Sequence, residues 1–367
     1  MLEFLNEHYY LYYIFIVCIS AVISFAVIPS ILHVARARHL YDDLGHFRKQ
    51  HDHGIPRLGG VAIFVSFNIA ILVYSIIFKS FPISYLLISS LILAAMGLKD
   101  DLSGVNSSTK FLIQFIVSLI LVVLGDIRLT SMYGIFGVFE LPYIISITLS
   151  MLVIMLIVNA FNLIDGIDGL AATTGIVVNT TFALLFIYIG QYELAMVAFA
   201  MVGALIGFLK YNITPAKIFM GDTGSLLIGL ISIVLAIKFI ELDKVDDDIL
   251  PDVYSAPALA TAVLIGPIFD TLRVFFIRAI KGIPPFTADR NHIHHRMLQL
   301  GLTHLQTTLI LAGINIFAIV TVLALNQYGN YLLVMLIFAV CLLFNWVLTF
   351  LIRSKERQGL ALRNLFI

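Results

Sequence analysis

Long apolar segments are the feature that most constrains what this 367-residue chain can fold into. A membrane-spanning helix needs about 20 mostly apolar residues, because the hydrocarbon core of a bilayer is about 30 Å thick. Eleven segments of this kind run approximately over residues 11–33, 58–78, 82–98, 110–125, 142–160, 169–189, 192–210, 223–240, 254–276, 306–326 and 330–352. They lack the alternation of apolar and polar residues that membrane β-barrel strands show. We therefore predict an all-α, polytopic integral membrane protein with about eleven transmembrane helices in a single domain, residues 1–367.

The composition supports a chain surrounded by lipid. Hydrophobic residues make up 60% of the sequence and charged residues 12%, against about 45–50% and 25% in soluble proteins. The 22 Lys and Arg balance the 22 Asp and Glu, so no excess charge points to a nucleic-acid partner. The two cysteines lie far apart in apolar segments, which predicts neither a disulfide framework nor a thiolate metal site.

The basic residues predict the orientation of the chain. When the loops are assigned alternately to the two sides of the membrane, one side receives all the Lys and Arg residues except Lys79, Arg128, Lys238 and Lys244. The positive-inside rule places that side in the cytoplasm. We therefore expect a multi-pass membrane protein with its N-terminus outside and its C-terminus in the cytoplasm.

The polar clusters of the sequence all fall on this predicted cytoplasmic side. The loops that carry them or adjoin them are 34–57, 98–110, 159–169, 210–224 and 277–305. An acidic residue at membrane depth costs a few kcal/mol or more unless a partner or a cation compensates it. One shared site formed by these loops would supply that compensation.

The first cluster is the adjacent pair Asp100 and Asp101, which directly follows an apolar segment. Two neighbouring carboxylates repel each other, so a metal ion or a lysine is expected beside them. The alternative is a helix end whose acids only mark the membrane interface.

The second cluster places Asn159, Asn162, Asp165 and Asp168 at every third position, with a glycine after each aspartate. On a helix this spacing would put all four on one face. A loop at the glycines would instead bring backbone amides close to a ligand. The alternative is a helix cap followed by a turn, since Asn, Asp and Gly favour both.

The third cluster is Phe219-Met-Gly-Asp-Thr-Gly-Ser, at the start of the eighth apolar segment. Asp222 is a hard oxygen ligand suited to Mg²⁺, and a helix start offers free amides to a phosphate. The same residues would also serve as an ordinary N-cap.

The fourth cluster lies in the longest predicted cytoplasmic loop and is rich in arginine and histidine. Its candidate substrate-binding residues are Arg290, His292, His294, His295 and Arg296. No cysteine lies nearby and the arginines disfavour a cation, so phosphate and sugar oxygens are better ligands than zinc. A solvated basic loop that only enforces topology is the alternative.

The four clusters together favour phosphoryl transfer to a lipid acceptor. They offer acids for a metal ion, amides for a phosphate and basic side chains for an anion, all beside the lipid. No Walker A loop, kinase signature or His-Glu-x-x-His motif is present. A transporter or lipid flippase is the alternative from another class, but its acids should lie near the bilayer midplane.

These motifs resemble those of the polyprenyl-phosphate N-acetylhexosamine-1-phosphate transferases, of the glycosyltransferase 4 type. The resemblance covers nearly the whole chain and rests on Gly54-Ile-Pro-Arg-Leu-Gly-Gly, the acid pair, and the three later clusters in the same order. It implies Mg²⁺-dependent transfer of a sugar-1-phosphate from a UDP-N-acetylhexosamine to undecaprenyl phosphate, with release of UMP, at the cytoplasmic face of the bacterial inner membrane. Mn²⁺ is expected to substitute for Mg²⁺, and a second copy of the chain is a further candidate partner.

The resemblance also implies roles for individual residues. Asp222 matches a catalytic aspartate that binds the metal, and Asn162 a residue near the metal and the diphosphate. Asp100 matches the base that deprotonates the lipid phosphate, with Asp101 as its partner. The matched or candidate substrate-binding residues are Lys49, Asn159, Asn162, Asp165, Asp168, Arg290, His292, His294, His295 and Arg296.

The histidine motif bears on the donor sugar. The branch that uses UDP-MurNAc-pentapeptide usually carries three successive histidines, whereas His292-Ile-His-His-Arg resembles the branch that uses UDP-GlcNAc. This favours the start of O-antigen, common-antigen or teichoic-acid synthesis. The peptidoglycan enzyme is the alternative within the family.

Overall fold

The computed structural model describes residues 9–40, 54–77, 84–242, 255–282 and 291–365. Within these ranges the chain is helical apart from turns, short irregular segments and one isolated antiparallel bridge between Ser131 and Glu140. The α-helices are α1 (Tyr9–Ala37), α2 (Gly59–Ile77), α3 (Ser84–Ser103), α4 (Ser107–Leu119), α5 (Tyr143–Ile164), α6 (Leu170–Tyr188), α7 (Tyr192–Asn212), α8 (Gly221–Leu242), α9 (Ala256–Val263), α10 (Ile265–Ile280), α11 (Ile293–Gln299), α12 (His304–Ala324) and α13 (Asn330–Leu365). The predicted all-α class is confirmed.

Each predicted apolar segment coincides with a helix, except that the segment 254–276 is divided between α9 and α10. Among the described residues, 8 helices are long and apolar enough to cross a membrane, counting α4 together with the π-helical turn Ile120–Leu124. The helices α9 and α10 are bent by 76° relative to each other at Leu264. If this pair is counted as one span, the number of candidate spans is 9. The two other predicted segments form α2 and α3, which are shorter or less apolar. The count of eleven and the orientation of the termini stay predictions.

Helix α8 lies at the centre of the bundle. In its most apolar stretch 78% of the residues are buried, against 22% in the corresponding stretches of α1 and α13. A helix that is apolar on every side belongs in the interior, and α8 packs against α2, α3 and α5. Gly97 of α3 permits one of these contacts, because a Cβ atom there would lie 2.6 Å from the backbone of Thr223. The start of α8 is therefore surrounded closely by other helix ends.

Backbone hydrogen bonds hold the glycine-rich motif before α2 against the segment before α8. The amides of Gly59 and Gly60 donate to the carbonyls of Phe219 (2.9 Å) and Met220 (2.7 Å), and the amide of Phe219 donates to the carbonyl of Pro56 (2.8 Å). Two motifs about 160 residues apart in the sequence thus lie side by side.

The other end of α8 is anchored as well. The backbone amide and the hydroxyl of Thr130 donate to the two carboxylate oxygens of Glu241, at 2.8 and 2.6 Å. The hydroxyl of Tyr133 donates to the carbonyl of Ile240 at 2.5 Å. With both ends held, α8 is a fixed support for the side chains at its start.

Candidate active site

A polar cavity of about 490 Å³ opens at the start of α8. Residues from all the predicted motifs reach it. Its lining consists of Arg57, Asp101, Asn162, Asp165, Gly166, Ile167, Asp168, Asn212, Phe219, Gly221, Asp222, His295, Leu298 and His304. Asp101, Asp165 and Asp222, which are far apart in the sequence, therefore meet around one volume.

Asp222 lies in the first turn of α8, and each of its two carboxylate oxygens has a side-chain partner. Its Oδ1 accepts a hydrogen bond from Nδ2 of Asn162 at 2.8 Å, and its Oδ2 lies 2.7 Å from Nζ of Lys110. The same Asn162 amide also donates to the hydroxyl of Ser225 at 3.1 Å. The two residues predicted to bind a metal thus lie in direct contact.

Lys110 joins Asp222 to the acid pair. Its Nζ lies 2.7 Å from Oδ2 of Asp100, whose Oδ1 accepts from the backbone amide of Val105 at 2.7 Å. The sequence predicted a metal or a lysine beside the acid pair, and Lys110 is that lysine. Asp100 is absent from the lining of the cavity and reaches Asp222 through Lys110.

Asp101 points to the start of α8. Its Oδ1 accepts from the amide of Asp222 at 2.7 Å, and its Oδ2 accepts from the amide (3.0 Å) and the hydroxyl (2.6 Å) of Thr223. These are amides that a helix start leaves without an intrahelical partner. Asp101 therefore acts as an N-cap supplied by another helix, and its predicted catalytic role remains a prediction.

Asp165 shows that the cavity carries excess negative charge. The pKa of its carboxyl group is raised to about 7, mainly by desolvation and further by the nearby carboxylates of Asp222 and Asp101. The guanidinium group of Arg57 and the amide of Gly221 act in the opposite direction. A cation in this cavity would relieve the repulsion among the acids.

The donor atoms suit a hard divalent cation. The carboxylates of Asp165 and Asp222 and the side-chain amide of Asn162 present oxygen ligands to the same cavity. No group of three His, Cys, Asp or Glu side chains among the described residues forms a ready metal site. Mg²⁺ is usually held by one or two carboxylates together with substrate phosphates and water, rather than by an all-protein cage. The residues present therefore fit Mg²⁺.

Asp168 lies at another part of the cavity wall. Its Oδ1 lies 3.3 Å from Nδ1 of His304, and its Oδ2 accepts from the amide of Ala216 at 3.3 Å. The buried side chain of Asn212 stabilises the same loop by accepting from the amide of Gly169 at 2.9 Å. The predicted ligand Asp168 is therefore held in place at the cavity.

Of the three predicted histidines, only His295 lines the cavity. His292 is buried, and its Nδ1 lies 3.0 Å from Oδ2 of Asp270 in α10. The amide of Ile293 donates to Oδ1 of the same aspartate at 2.8 Å. The carboxylate of Asp270 thus binds the imidazole of His292 and the first free backbone amide of α11.

His294 is also buried and stacks on His292. Burial lowers the pKa of its imidazole to about 3, so the ring is neutral at pH 7. Its Nε2 has no hydrogen-bond partner among the described residues and faces Gly166, where a side chain would collide with it. Contact of His292 or His294 with a ligand in the cavity stays a prediction.

Two further predicted ligands bind neighbouring helices. Arg296 donates to Oδ1 of Asn345 (2.5 Å) and to the hydroxyl of Thr349 (2.7 Å), both in α13. Asn159 donates to Oε1 of Gln114 in α4 at 2.6 Å. Neither residue is part of the cavity lining. The remaining two, Lys49 and Arg290, lie outside the described residues.

Sequence reasoning missed four residues around this site: Lys110, Arg57, His304 and Asp270. Two of them carried a usable signal. Arg57 stands within the glycine-rich motif, and Asp270 is an acid inside an apolar segment, where acids usually have a function. Lys110 was counted only for topology, and His304 has no distinguishing pattern.

Comparison with known proteins identifies similar sequences. The family model described as glycosyl transferase family 4 matches residues 83–240. The chain is 32% identical over 294 residues to the probable undecaprenyl-phosphate N-acetylglucosaminyl 1-phosphate transferase of Bacillus subtilis (strain 168), covering 79% of each chain. It is 30% identical over 336 residues to the undecaprenyl-phosphate alpha-N-acetylglucosaminyl 1-phosphate transferase of Escherichia coli (strain K12), covering 86% of this chain and 87% of the relative. The decaprenyl-phosphate N-acetylglucosaminephosphotransferase of Mycolicibacterium smegmatis is 32% identical, with 72% and 70% covered.

Proposed function

The chain belongs to glycosyl transferase family 4, and on that premise we propose that it transfers N-acetylglucosamine-1-phosphate from UDP-N-acetylglucosamine to undecaprenyl phosphate, releasing UMP. The names of its relatives support both the transferred group and the lipid acceptor. The family and the transferase class predicted from the motifs are confirmed.

One observation carries the proposal: Asp222 lies between Lys110 on one side and the acid-lined cavity on the other. A sugar nucleotide brings a diphosphate, and the acceptor brings a further phosphate. Phosphoryl transfer requires that these anions be held together while their charge is neutralised. A cavity with carboxylates for a cation, an adjacent lysine and the guanidinium of Arg57 has the groups that this task needs.

The reaction exchanges one phosphoanhydride bond for another. An oxygen of the lipid phosphate forms a bond to the phosphorus that carries the sugar. The bond from this phosphorus to the oxygen bridging the two phosphates breaks, and that oxygen leaves with UMP. No oxidant or further co-reactant is needed. The protein's main contribution is then to align the attacking and leaving oxygens and to stabilise their charge.

Asp222 and Asn162 are the proposed ligands of Mg²⁺, with Asp165 close to them. The ion would neutralise the diphosphate and stabilise charge on the leaving phosphate. Lys110 is well placed to add a second positive charge, because its ammonium group already contacts two carboxylates of the site. Asp100, held by Lys110, is the proposed acceptor of any proton carried by the lipid phosphate.

The donor would bind in the cavity described above. We propose that Asp165 and Asp168 lie around the uridine and that His295 contacts the sugar diphosphate. The positive-inside pattern supports a cavity facing the cytoplasm of the bacterial inner membrane.

The decisive experiment is turnover by the purified protein. With Mg²⁺, UDP-N-acetylglucosamine and undecaprenyl phosphate, we expect UMP and a lipid-linked sugar phosphate. Asp222→Asn should abolish the reaction while the protein still folds. The matched control is Asp126→Asn, which changes an exposed acid that pairs with Arg128 away from the cavity. Normal turnover by Asp222→Asn would refute the metal-site assignment.

The exact donor needs a separate measurement. A panel of UDP-sugars, including UDP-MurNAc-pentapeptide, can be scored by release of UMP. The histidine motif favours UDP-N-acetylglucosamine, and therefore an envelope glycan of the O-antigen, common-antigen or teichoic-acid type. Preferential use of UDP-MurNAc-pentapeptide would assign the protein to peptidoglycan synthesis instead.

A further inference from the structure

Asp270 is an acid within an apolar helix and takes no part in the cavity. It lies in α10 with a relative exposure of 4%, and it lines a small, mostly apolar cavity together with Ile164 and Leu170. A buried carboxylate is costly unless hydrogen bonds satisfy its oxygens. The carboxylate of Asp270 is therefore expected to have hydrogen-bond donors close to both of its oxygens.

Among the described residues, the polar partners of Asp270 lie at the start of α11. Oδ1 accepts from the amide of Ile293 at 2.8 Å, and Oδ2 lies 3.0 Å from Nδ1 of His292 and 3.9 Å from Nδ1 of His294. The contact with His292 selects the tautomer that carries a proton on Nδ1, because a carboxylate only accepts. One side chain of α10 thus engages three consecutive residues of a short helix.

The contacts of Asp270 affect the direction in which the side chain of His295 points. With His292 and His294 turned toward Asp270, His295 is directed into the cavity that also contains Asp165 and Asp222. The rings of His294 and His295 are 4.3 Å apart between centroids, so the position of one constrains the other.

Helix α13 holds the other half of α11. Arg296 donates to Asn345 and Thr349, and Nζ of Lys355 donates to the carbonyls of Gln299 (3.1 Å) and Leu300 (2.9 Å). These bonds secure the later residues of α11. Its beginning is held by Asp270 and, just before the helix, by Arg273, whose Nη1 donates to the carbonyl of Asn291 at 2.6 Å.

We propose that Asp270 is a positioning residue for donor recognition: by holding His292 and the amide of Ile293, it orients α11 so that His295 faces the sugar nucleotide. This inference rests on the proposed function. It assigns Asp270 no contact with substrate, and its effect on the reaction passes through His295.

The test is a double-mutant cycle on the KM of UDP-N-acetylglucosamine. Asp270→Leu removes both hydrogen bonds and suits the apolar surroundings. It should raise the donor KM about ten- to a hundredfold, the usual effect of removing a charged hydrogen-bond partner. His295→Ala should raise the same KM, and the double variant should be little worse than the more severe single variant. Independent sites would instead give multiplied effects.

Two further variants separate positioning from general stability. Asp270→Asn retains an acceptor for Ile293 and can bond His292 in its other tautomer, so it should recover most of the donor affinity. Asn315→Leu is the matched control: Asn315 is equally buried, at 3% exposure, and it bonds Ala262 and Val263 rather than α11. It should leave the donor KM unchanged, and none of these variants should change the KM of undecaprenyl phosphate.

Hydrogen–deuterium exchange provides a readout that does not depend on the reaction. Peptides covering residues 291–299 should exchange faster in Asp270→Leu than in the wild type, and not in Asn315→Leu. If Asp270→Leu does not fold, His292→Leu breaks the same contact from the other side and takes its place in the cycle.

The outcomes distinguish the two proposals. A wild-type protein that releases no UMP from any UDP-sugar refutes the proposed function, whatever the exchange data show. An active wild type combined with an unchanged donor KM in Asp270→Leu, or with multiplied effects in the double variant, refutes the positioning role alone.

Discussion

The ammonium group of Lys110 lies 2.7 Å from a carboxylate oxygen of Asp222, although 112 positions separate the two residues in the chain. The same nitrogen lies 2.7 Å from Asp100. This arrangement connects the acid pair at the end of α3 with the proposed metal ligand at the start of α8. A cation between two carboxylates offsets their repulsion, and it places an ammonium group beside the cavity where phosphates are proposed to bind.

Replacing Lys110 should therefore impair the reaction. Lys110→Met keeps most of the side-chain volume but removes the charge, and should lower turnover about 100- to 1000-fold, as the loss of one transition-state donor usually does. The measurement is UMP release at saturating concentrations of both substrates. Lys99→Met is the matched control, because Lys99 is exposed on α3 beside the acid pair. An equal loss of turnover in the two variants would show that the effect comes from the loss of any nearby positive charge and not from the contact of Lys110 with Asp222.

The two adjacent aspartates should give different phenotypes. Asp101→Ala removes the cap of α8 and should reduce the free energy of unfolding by about 2 kcal/mol, the upper range for an N-cap. Asp100→Ala should cost mainly turnover, because its carboxylate supports Lys110. The thermal unfolding midpoint in detergent and the rate of UMP release separate the two effects. An Asp101→Ala protein as stable as the wild type would contradict the capping role.

The close approach of α3 to α8 predicts the effect of a single methyl group. Gly97→Ala would place a Cβ atom 2.6 Å from the backbone of Thr223. Relieving this collision should cost about 1–3 kcal/mol, as overpacking does, and should displace Asp101 from its cap. Gly313→Ala in α12 is the control, because a Cβ atom there meets nothing within 4 Å. We expect a lower unfolding midpoint for the first variant only, as checked by thermal unfolding.

Removal of divalent cations should stop turnover. Excess EDTA should abolish UMP release, and adding Mg²⁺ or Mn²⁺ beyond the chelator should restore it, because the carboxylates of Asp222 and Asp165 suit hard cations. Calcium serves as a control for a cation of equal charge but larger size. Activity that persists in EDTA would contradict metal-assisted transfer.

The helices and the principal polar residues of the site could be predicted from local signals. An apolar run of sufficient length forms a helix in lipid whatever surrounds it, because every backbone group must be satisfied within the segment. Acids and amides beside such runs are costly, so Asp165, Asp168 and Asp222 stood out before any contact was known.

The partners of these residues could not be predicted in the same way. These contacts depend on which helices adjoin α8 and α10. They are the contact of Lys110 with Asp222, the capping of α8 by Asp101, and the contact of Asp270 with His292. The 76° bend between α9 and α10 likewise divides an apolar segment that appeared continuous in the sequence.

The sequence by itself determined the helical class, the apolar segments and most of the polar residues that line the cavity, because hydrophobicity and the cost of buried charge act on each residue where it stands. Only the tertiary structure decided which side chains meet, and so which carboxylate contacts the lysine, which one caps a helix and which histidine reaches the cavity. The physical reason is that hydrogen bonds and ion pairs act over a few ångströms, and such distances between remote segments exist only after the helices have packed.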